Sequence, residues 1–535
     1  MQSAFRQGRR GGGDKLLCVF NLSARQPTIF TLTAALLLML PWLNPFAPGP
    51  SAAVAPWLFS MAMVAALLLL FAWRRQLWPE SFRPLGTETI EAFGLSLLVA
   101  GFVSSVLALL QYFDVEAMFA PWVNAAGPGQ AFANLRQRNQ FASLTNLALA
   151  VLLLWALHAK PGALNKNASA LALAGAALLA VGNAASASRT GGVQLLLLCA
   201  LLALWGGWRV RLVRLVLICA GVAYATSAIA LPFAAGFDWM ANGLFARLQA
   251  GDQPCASRIT LWSNVLHLMA QKPWLGWGWG ELDYAHFITL YDQPRFCDIL
   301  DNAHNLPLHL AVELGLPAAL LICGGFMAWA LRQKPWAERD PARQMAWAVL
   351  ALILLHSLLE YPLWYGPFQI AFGVCVVLLS RQKKLSEVKN TSKNESYWLL
   401  AGILQALTAI ILIACVSYAA WDYRRISQIY LPPELRAAAY RTDTLNQIRS
   451  SWLFADQVQF AELMTTPLTL ANAEWTFESA AQMLHYSPEP RVIEKLIESA
   501  VLLGKEDDAL AYLARYRAAF PAEHGRWAKA QTRRL

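Results

Sequence analysis

The sequence predicts an all-α, polytopic membrane protein with about eleven transmembrane helices, a large external loop and a helical C-terminal tail, on three observations. Of its 535 residues 57% are hydrophobic and only 14% charged, against roughly 25% charged in a soluble domain. The apolar residues form unbroken runs such as Ala52 to Trp73, and a spanning helix needs about 20 of them. The net charge of +10 lies among these runs, because the chain beyond Trp421 balances 14 Lys/Arg against 14 Asp/Glu. Charge confined to short loops reports membrane topology, so nucleic acid drops out as a partner.

Hydrophobic runs place the spans at 28–46, 52–73, 91–112, 140–158, 168–186, 190–207, 212–232, 305–330, 344–360, 364–380 and 397–420. With the N-terminus in the cytoplasm, the inner segments carry 22 Lys/Arg, whereas the short loops on the other side carry only Arg136, Arg138 and Arg189. That bias fixes the orientation and sends residues 113–139, 233–304 and the tail outside. Residues 1–27 read as a cytoplasmic basic leader with no cleavable signal, 28–420 as the membrane domain with its loop 233–304, and 421–535 as an external helical domain. The polar linker Lys383 to Asn394 marks a module boundary before the last span.

Cysteines 18, 199, 219, 323, 375 and 415 sit in or near apolar segments, where a thiol behaves as a small hydrophobe. Cys255 and Cys297 share the external loop and could be either a disulfide, if that side is oxidising, or two free thiols. In the tail, Arg491 to Pro521 reads as two amphipathic helices joined at Leu503-Gly504-Lys505, similar to a tetratricopeptide pair. One such pair cannot bury both faces alone, so it must pack on the rest of the tail or on a partner.

Ionisable groups are costly in hydrocarbon, so polar clusters at the external span ends are the candidate functional groups. Arg136 and Arg138 lie in Asn134-Leu-Arg-Gln-Arg-Asn-Gln140, where they could anchor a helix or meet an anion. Arg189 stands in the hairpin Ser186-Ala-Ser-Arg-Thr-Gly-Gly192; its fork suits phosphate, and it could equally snorkel over a turn. Arg258 and Trp262 fall on one face of a helix, followed by the Trp- and Gly-rich run 274–280, whose indoles could pack on sugars or lie at the membrane interface. His304 and Asn305 open the next span, with His309 four residues after Asn305 on its face. No H-E-x-x-H or cysteine pair supports a metal site; His304 could be a base or a donor to an anion. Glu360 follows His356 by four residues, on its helical face, with Tyr361 and the helix-breaking Pro362 next. No Walker loop, dinucleotide fingerprint or Asp-x-Asp is present. These residues describe a basic, pyrophosphate-sized site with a candidate base on the external face.

The order N-L-R-Q-R-N (134–139), S-R-T-G (188–191), R-I-x-L-W (258–262), P-W-L-G-W-G-W-G (273–280), H-N-L-x-L (304–308) and H-S-L-L-E-Y-P-L-W (356–364) resembles the bacterial O-antigen ligase/polymerase superfamily. Within it, the chain is similar to the PglL-type O-oligosaccharyltransferases, the pilin glycosylation ligases, from about residue 100 onward. The resemblance implies an inverting, metal-independent glycosyltransferase without a cofactor. It would move a preassembled glycan from an undecaprenyl pyrophosphate carrier to a Ser or Thr hydroxyl of a periplasmic protein such as type IV pilin. It further implies an inner-membrane protein whose active site and C-terminal domain face the periplasm. His304 and Glu360 are then the expected catalytic residues, and Arg136, Arg138, Arg189, Arg258, Asn305 and Tyr361 bind pyrophosphate or glycan. The alternatives are an O-antigen ligase acting on lipid A core, an O-antigen polymerase, and, from another class, a transporter, which would carry its polar groups along the spans.

Overall fold

The computed structural model describes residues 28–77, 87–159, 165–238, 240, 243–250, 254–381 and 394–532; the basic leader with Cys18, and residues 383–393 of the linker, lie outside them. The described chain is all helix and loop. The bundle helices are α1 (Ile29–Leu43), α2 (Val54–Leu77), α3 (Thr87–Tyr112), α4 (Arg138–His158), α5 (Lys166–Ala185), α6 (Arg189–Leu204) and α7 (Arg211–Ala234). The large loop holds α8 (Leu244–Ala250), α9 (Arg258–Gln271), α10 (Leu282–Ile288) and α11 (Leu306–Leu314). The bundle resumes with α12 (Leu316–Ala319), a π turn, α13 (Gly325–Gln333), α14 (Pro341–Ser357), α15 (Gly366–Arg381) and α16 (Asn394–Ile426). The tail contributes α17 (Thr444–Ile448), α18 (Ala455–Thr465), α19 (Ala473–Met483), α20 (Pro490–Leu502), α21 (Glu506–Ala519) and α22 (Pro521–Thr532).

Among the described residues seven helices are long and apolar enough to cross a membrane, and Ile29–Leu43, Arg189–Leu204 and Gly366–Ser380 are shorter apolar helices. Burial sorts them into core and periphery. The spanning stretch of α4 is 83% buried inside the protein, against 6% for Leu316–Ala337 and 11% for the run in α16. The bundle is therefore built around α4, with lipid as the natural neighbour of the peripheral helices.

Hydrogen bonds sort the loops into two ends. At one end Asn134 donates to Leu43 O (2.8 Å), Asn139 to Glu360 (3.2 Å) and Tyr423 to Ser51 O (2.9 Å). At the other, Trp205 Nε1 donates to Pro335 O (2.9 Å) and His158 Nε2 pairs with Gln344 (2.6 Å). The first end gathers the large loop, the α5–α6 hairpin, the α14–α15 turn and the tail.

Two expectations need correction here. The predicted span 305–330 is not one helix: α11 ends at Leu314, and Gly315 turns the chain with φ 86°, a conformation that favours glycine. The break seats the Trp- and Gly-rich run. Trp277 N–H donates to Val312 O (2.9 Å), Gly278 N–H to Glu313 O (3.0 Å) and Leu316 N–H to Pro273 O (2.8 Å). A Cβ on Gly315 would lie 2.1 Å from Trp274 O, and one on Gly276 2.3 Å from Glu313 O, so this backbone clasp requires both glycines. Second, α14 stops at Ser357, so Glu360 lies just beyond the helix expected to carry it; its N–H still caps His356 O at 2.8 Å.

In the loop, Leu261, Val265, Leu268, Phe296, Leu300 and Val312 make a small core. Cys255 and Cys297 are joined by a disulfide, with Cα atoms 5.3 Å apart. The tail begins on α16, which outlasts the expected span and carries buried Asp422, accepting from Arg425 (2.8 Å) and Ser451 (2.8 Å). The helices α20 and α21 meet as the expected pair, with Ile493, Leu496 and Tyr516 in their core. That core is shared with the loop: Phe287 of α10 is buried in it. Arg515 donates to Ile288 O (2.9 Å), His485 pairs with Glu281 (2.6 Å), and the Tyr284 and His485 rings stack at 3.7 Å. The tail therefore braces the loop.

Truncating a buried Phe typically costs about 3–5 kcal/mol. Phe287→Ala is expected to loosen the tail from the loop, read as faster proteolysis of the full-length protein between α16 and α20, while Leu510→Ala, an exposed tail position, leaves the cleavage rate unchanged.

Candidate active site

Glu360 is the meeting point. It lies in the turn between α14 and α15, where Pro362 forbids helix continuation, and its side chain is 12% exposed. One carboxylate oxygen, Oε1, takes the Arg258 guanidinium in an ion pair and accepts from Asn139 Nδ2 at 3.2 Å. The other, Oε2, pairs with His304 Nδ1 at 2.7 Å. Burial alone would push the Glu360 carboxyl up, but the hydrogen bond to His304 and the neighbouring Arg258 guanidinium hold it below the usual carboxylate range.

Each partner is set by local sequence. Arg258 is the first residue of α9, behind Ser257, whose hydroxyl accepts from Thr260 N–H (3.1 Å) as an N-cap. His304 has φ 50° and donates its N–H to Asn302 Oδ1 (2.8 Å), which turns its ring toward Glu360. Tyr361 packs edge-on against the His304 ring, centroids 5.0 Å apart; burial, with Tyr365 and nearby carboxylates, pushes its phenol well above 10, so it is a neutral hydroxyl.

Asn139 extends the site. Its Oδ1 accepts from the Ser188 hydroxyl at 2.6 Å, and Ser188 is also the N-cap of α6, accepting from Gly191 N–H (3.1 Å). Arg189, the first residue of α6 and exposed, thus stands on a hairpin tied through Asn139 to Glu360. Below the hairpin runs a buried polar chain. Asn146 donates to Gly191 O (3.0 Å), Asn183 to Asn146 (3.0 Å), Gln194 to Ser143 (2.9 Å), and Ser143 bonds His356 Nδ1 (2.9 Å). A Cβ on Gly191 would lie 2.2 Å from Asn183 Oδ1, which accounts for glycine there.

Of the residues expected from sequence, Arg258 and His304 both touch Glu360, Tyr361 packs on His304, and Arg189 joins through Ser188 and Asn139. Arg136 is not in the cluster. It adopts φ 60° at the end of a short turn, and its guanidinium donates to Pro45 O, pinning the α1–α2 loop. Arg138 opens α4; no contact places it at Glu360. Asn305 works as a helix cap, accepting from Leu308 N–H (3.2 Å) and donating to Leu358 O (3.1 Å). Asn139 and Ser188 were not singled out by sequence; the signal, an amide directly before a span and a serine before the arginine, is too common to stand out.

Behind the cluster, buried His309 and Glu313 on α11 approach to 3.4 Å. Burial pushes Glu313 up to about 7 and His309 down to about 4, so at neutral pH the imidazole is uncharged. Its edge meets the rings of Trp364 (4.9 Å) and Trp279 (6.2 Å), which lie parallel, 6.1 Å apart. Trp279 is exposed and presents an apolar ring beside His309 and Trp364.

An arginine, a histidine and a carboxylate are thus gathered at one end of the helical bundle. Three family descriptions match successive stretches: a protein glycosylation ligase family at residues 131–156, the O-antigen ligase family at 174–323, and the C-terminal part of a virulence factor membrane-bound polymerase family at 344–534. The chain is thus similar, stretch by stretch, to the O-antigen ligase, membrane-bound polymerase and protein glycosylation ligase families. Among curated proteins it is 24% identical over 298 residues to a ComP-specific O-oligosaccharyltransferase of Acinetobacter baylyi (strain ATCC 33305 / BD413 / ADP1), covering 55% of this chain and 52% of the relative. It is 26% identical over 168 residues to a general O-oligosaccharyltransferase of the same organism, covering 31% of this chain and 28% of the relative. The chain thus spans about half or less of the curated relatives it matches.

Asn139→Ala removes a hydrogen bond that favours the ionised carboxylate, so the Glu360 pKa should rise. The depressed carboxyl contributes stability and site order above its unfolded value, lost as pH falls through its folded value. The acid limb of any activity that needs the cluster is therefore expected to move to higher pH in Asn139→Ala, measured as a pH–rate profile beside wild type.

Proposed function

We propose that this chain is a protein O-oligosaccharyltransferase. It transfers a preassembled glycan en bloc from an undecaprenyl pyrophosphate carrier to a serine or threonine hydroxyl of a periplasmic protein such as a type IV pilin. The observation that carries the reading is the Glu360 carboxylate joined to both Arg258 and His304. With Glu360 ionised and hydrogen-bonded to Nδ1, the His304 proton is held on that nitrogen and Nε2 is the basic one. Nε2 takes the proton of the acceptor hydroxyl as its oxygen bonds to the anomeric carbon, on the face opposite the leaving group. The bond from that carbon to the pyrophosphate oxygen breaks, and the released electron pair stays on the lipid pyrophosphate. Arg258, sharing its fork with Glu360, and Arg189 take up this developing charge, the kind of preorganised stabilisation that lowers transfer barriers most. Inversion follows from a single displacement. Trp279 offers a flat apolar face to the sugar, and Arg136 and Asn305 hold the scaffold.

A second reading, a polymerase that adds the glycan to another lipid-linked chain, is favoured by the match of residues 344–534 to a membrane-bound polymerase family. The braced external tail supports a protein acceptor instead. Purified full-length protein given lipid-linked oligosaccharide together with pilin separates them: the proposal expects glycan on pilin, and lengthened lipid-linked glycan with unmodified pilin would replace it with the polymerase. In the same assay Arg189→Lys, which keeps charge but loses the fork, is expected to lower kcat by about tenfold, the order of one charge-assisted hydrogen bond; full activity would remove Arg189 from the pyrophosphate.

A further inference from the structure

The helix that carries Arg258 has two apolar faces. Leu261, Val265 and Leu268 fill the loop core. On the opposite side Ile259 and Leu266, seven apart and so on one stripe, are exposed, as is Ala270. The stripe continues beyond the helix into Trp274 and Leu275, which are 75% and 85% exposed. From Ile259 to Gln271 the sequence holds no Lys, Arg, Asp or Glu. The exposed side of α21 in the tail is the contrast, with Glu506, Asp507, Asp508 and Arg517 facing out, as a helix in water does.

What covers the stripe follows from where it is anchored. Leu316 N–H donates to Pro273 O at 2.8 Å, and the Trp274 and Gly315 backbones are in contact with no room for a side chain. Leu316 opens the apolar run Leu316–Ala337, of which only 6% is buried in protein, with Leu320 and Leu321 exposed. The exposed stripe is thus joined to the start of an apolar helix long enough to cross a membrane. Trp is favoured at a membrane–water boundary, and Lys272 stands beside it, its ammonium 4.0 Å over the Trp277 ring.

We propose that Ile259, Leu266, Trp274 and Leu275 rest in the headgroup–hydrocarbon boundary of the membrane, making α9 an interfacial helix that fixes the depth of Arg258. Arg258 begins this helix, so the Glu360 cluster lies at the level of the lipid phosphates, where a lipid-bound diphosphate presents itself without leaving the bilayer. The surface is separate from the transfer chemistry and stands whatever acceptor the site uses.

A photoactivatable p-benzoylphenylalanine, placed singly at Leu266, Leu275 or Leu510 in the full-length protein in its native membrane, tests this directly. The expected result after illumination is an adduct of one phospholipid mass at 266 and 275, at least tenfold more abundant than at 510. A protein adduct at 266 and 275, whether a second copy of this chain or an acceptor, would overturn the proposal, as would lipid labelling no greater than at 510. Because the readout is mass and not glycan transfer, it holds or fails independently of the proposed activity.

Discussion

The arrangement depends on one carboxylate. Glu360 is nearly buried at the end of a membrane bundle, where an unpaired charge would be costly. It is kept ionised by groups from three distant segments: Asn139 before α4, Arg258 at the start of α9 and His304 before α11. Because all three meet at Glu360, the carboxylate both orients the imidazole and sets the distance between the guanidinium and the ring. A neutral amide at 360 would keep the shape, yet it would lose the attraction that gathers them.

Around this centre, the structure trades flexibility for backbone contact. The Trp- and Gly-rich run lies against the Gly315 break with hydrogen bonds at Trp277, Gly278 and Leu316, and neither Gly276 nor Gly315 has room for a Cβ. The opposite wall rests on the buried chain of Asn183, Asn146, Gln194, Ser143 and His356, which ties α4, α5, α6 and α14 together beneath the arginine hairpin. Its hydrogen bonds fix the register of the helices, although Asn183 Oδ1 and His356 Nε2 are left without a partner among the described residues. The tail adds a third support by burying Phe287, so the large loop and the tail pack into one connected body beside the site.

Much of this was legible in the sequence because membranes make charge expensive. Arg258, His304 and Glu360 stood out as ionisable groups at apolar span ends, and they do converge. The helices over most of the expected spans follow from unbroken apolar runs. The rest was hidden for identifiable reasons. Arg136 resembled an anion ligand, but a guanidinium is satisfied equally by a backbone carbonyl, here that of Pro45. Asn305 looked like a ligand and is a cap, which a side-chain amide before a helix commonly is. The break at Gly315 lay inside a continuous apolar stretch; Gly315-Leu316-Pro317 was its only mark. The Glu360 position was read by helical periodicity from His356, and periodicity says nothing once the helix has ended. Asn139 and Ser188 are neutral and common, so only their geometry distinguishes them.

The most direct test of the central claim is the mass of pilin from glycan-producing cells that express either wild type or Glu360→Gln, at equal abundance in the membrane. The account predicts a glycan-sized mass increase on pilin with wild type and a reduction of its yield on the order of 100-fold with Glu360→Gln, the scale of a lost base and its orienting group. Glycosylation of pilin at undiminished yield by Glu360→Gln would show that the carboxylate does not organise the site.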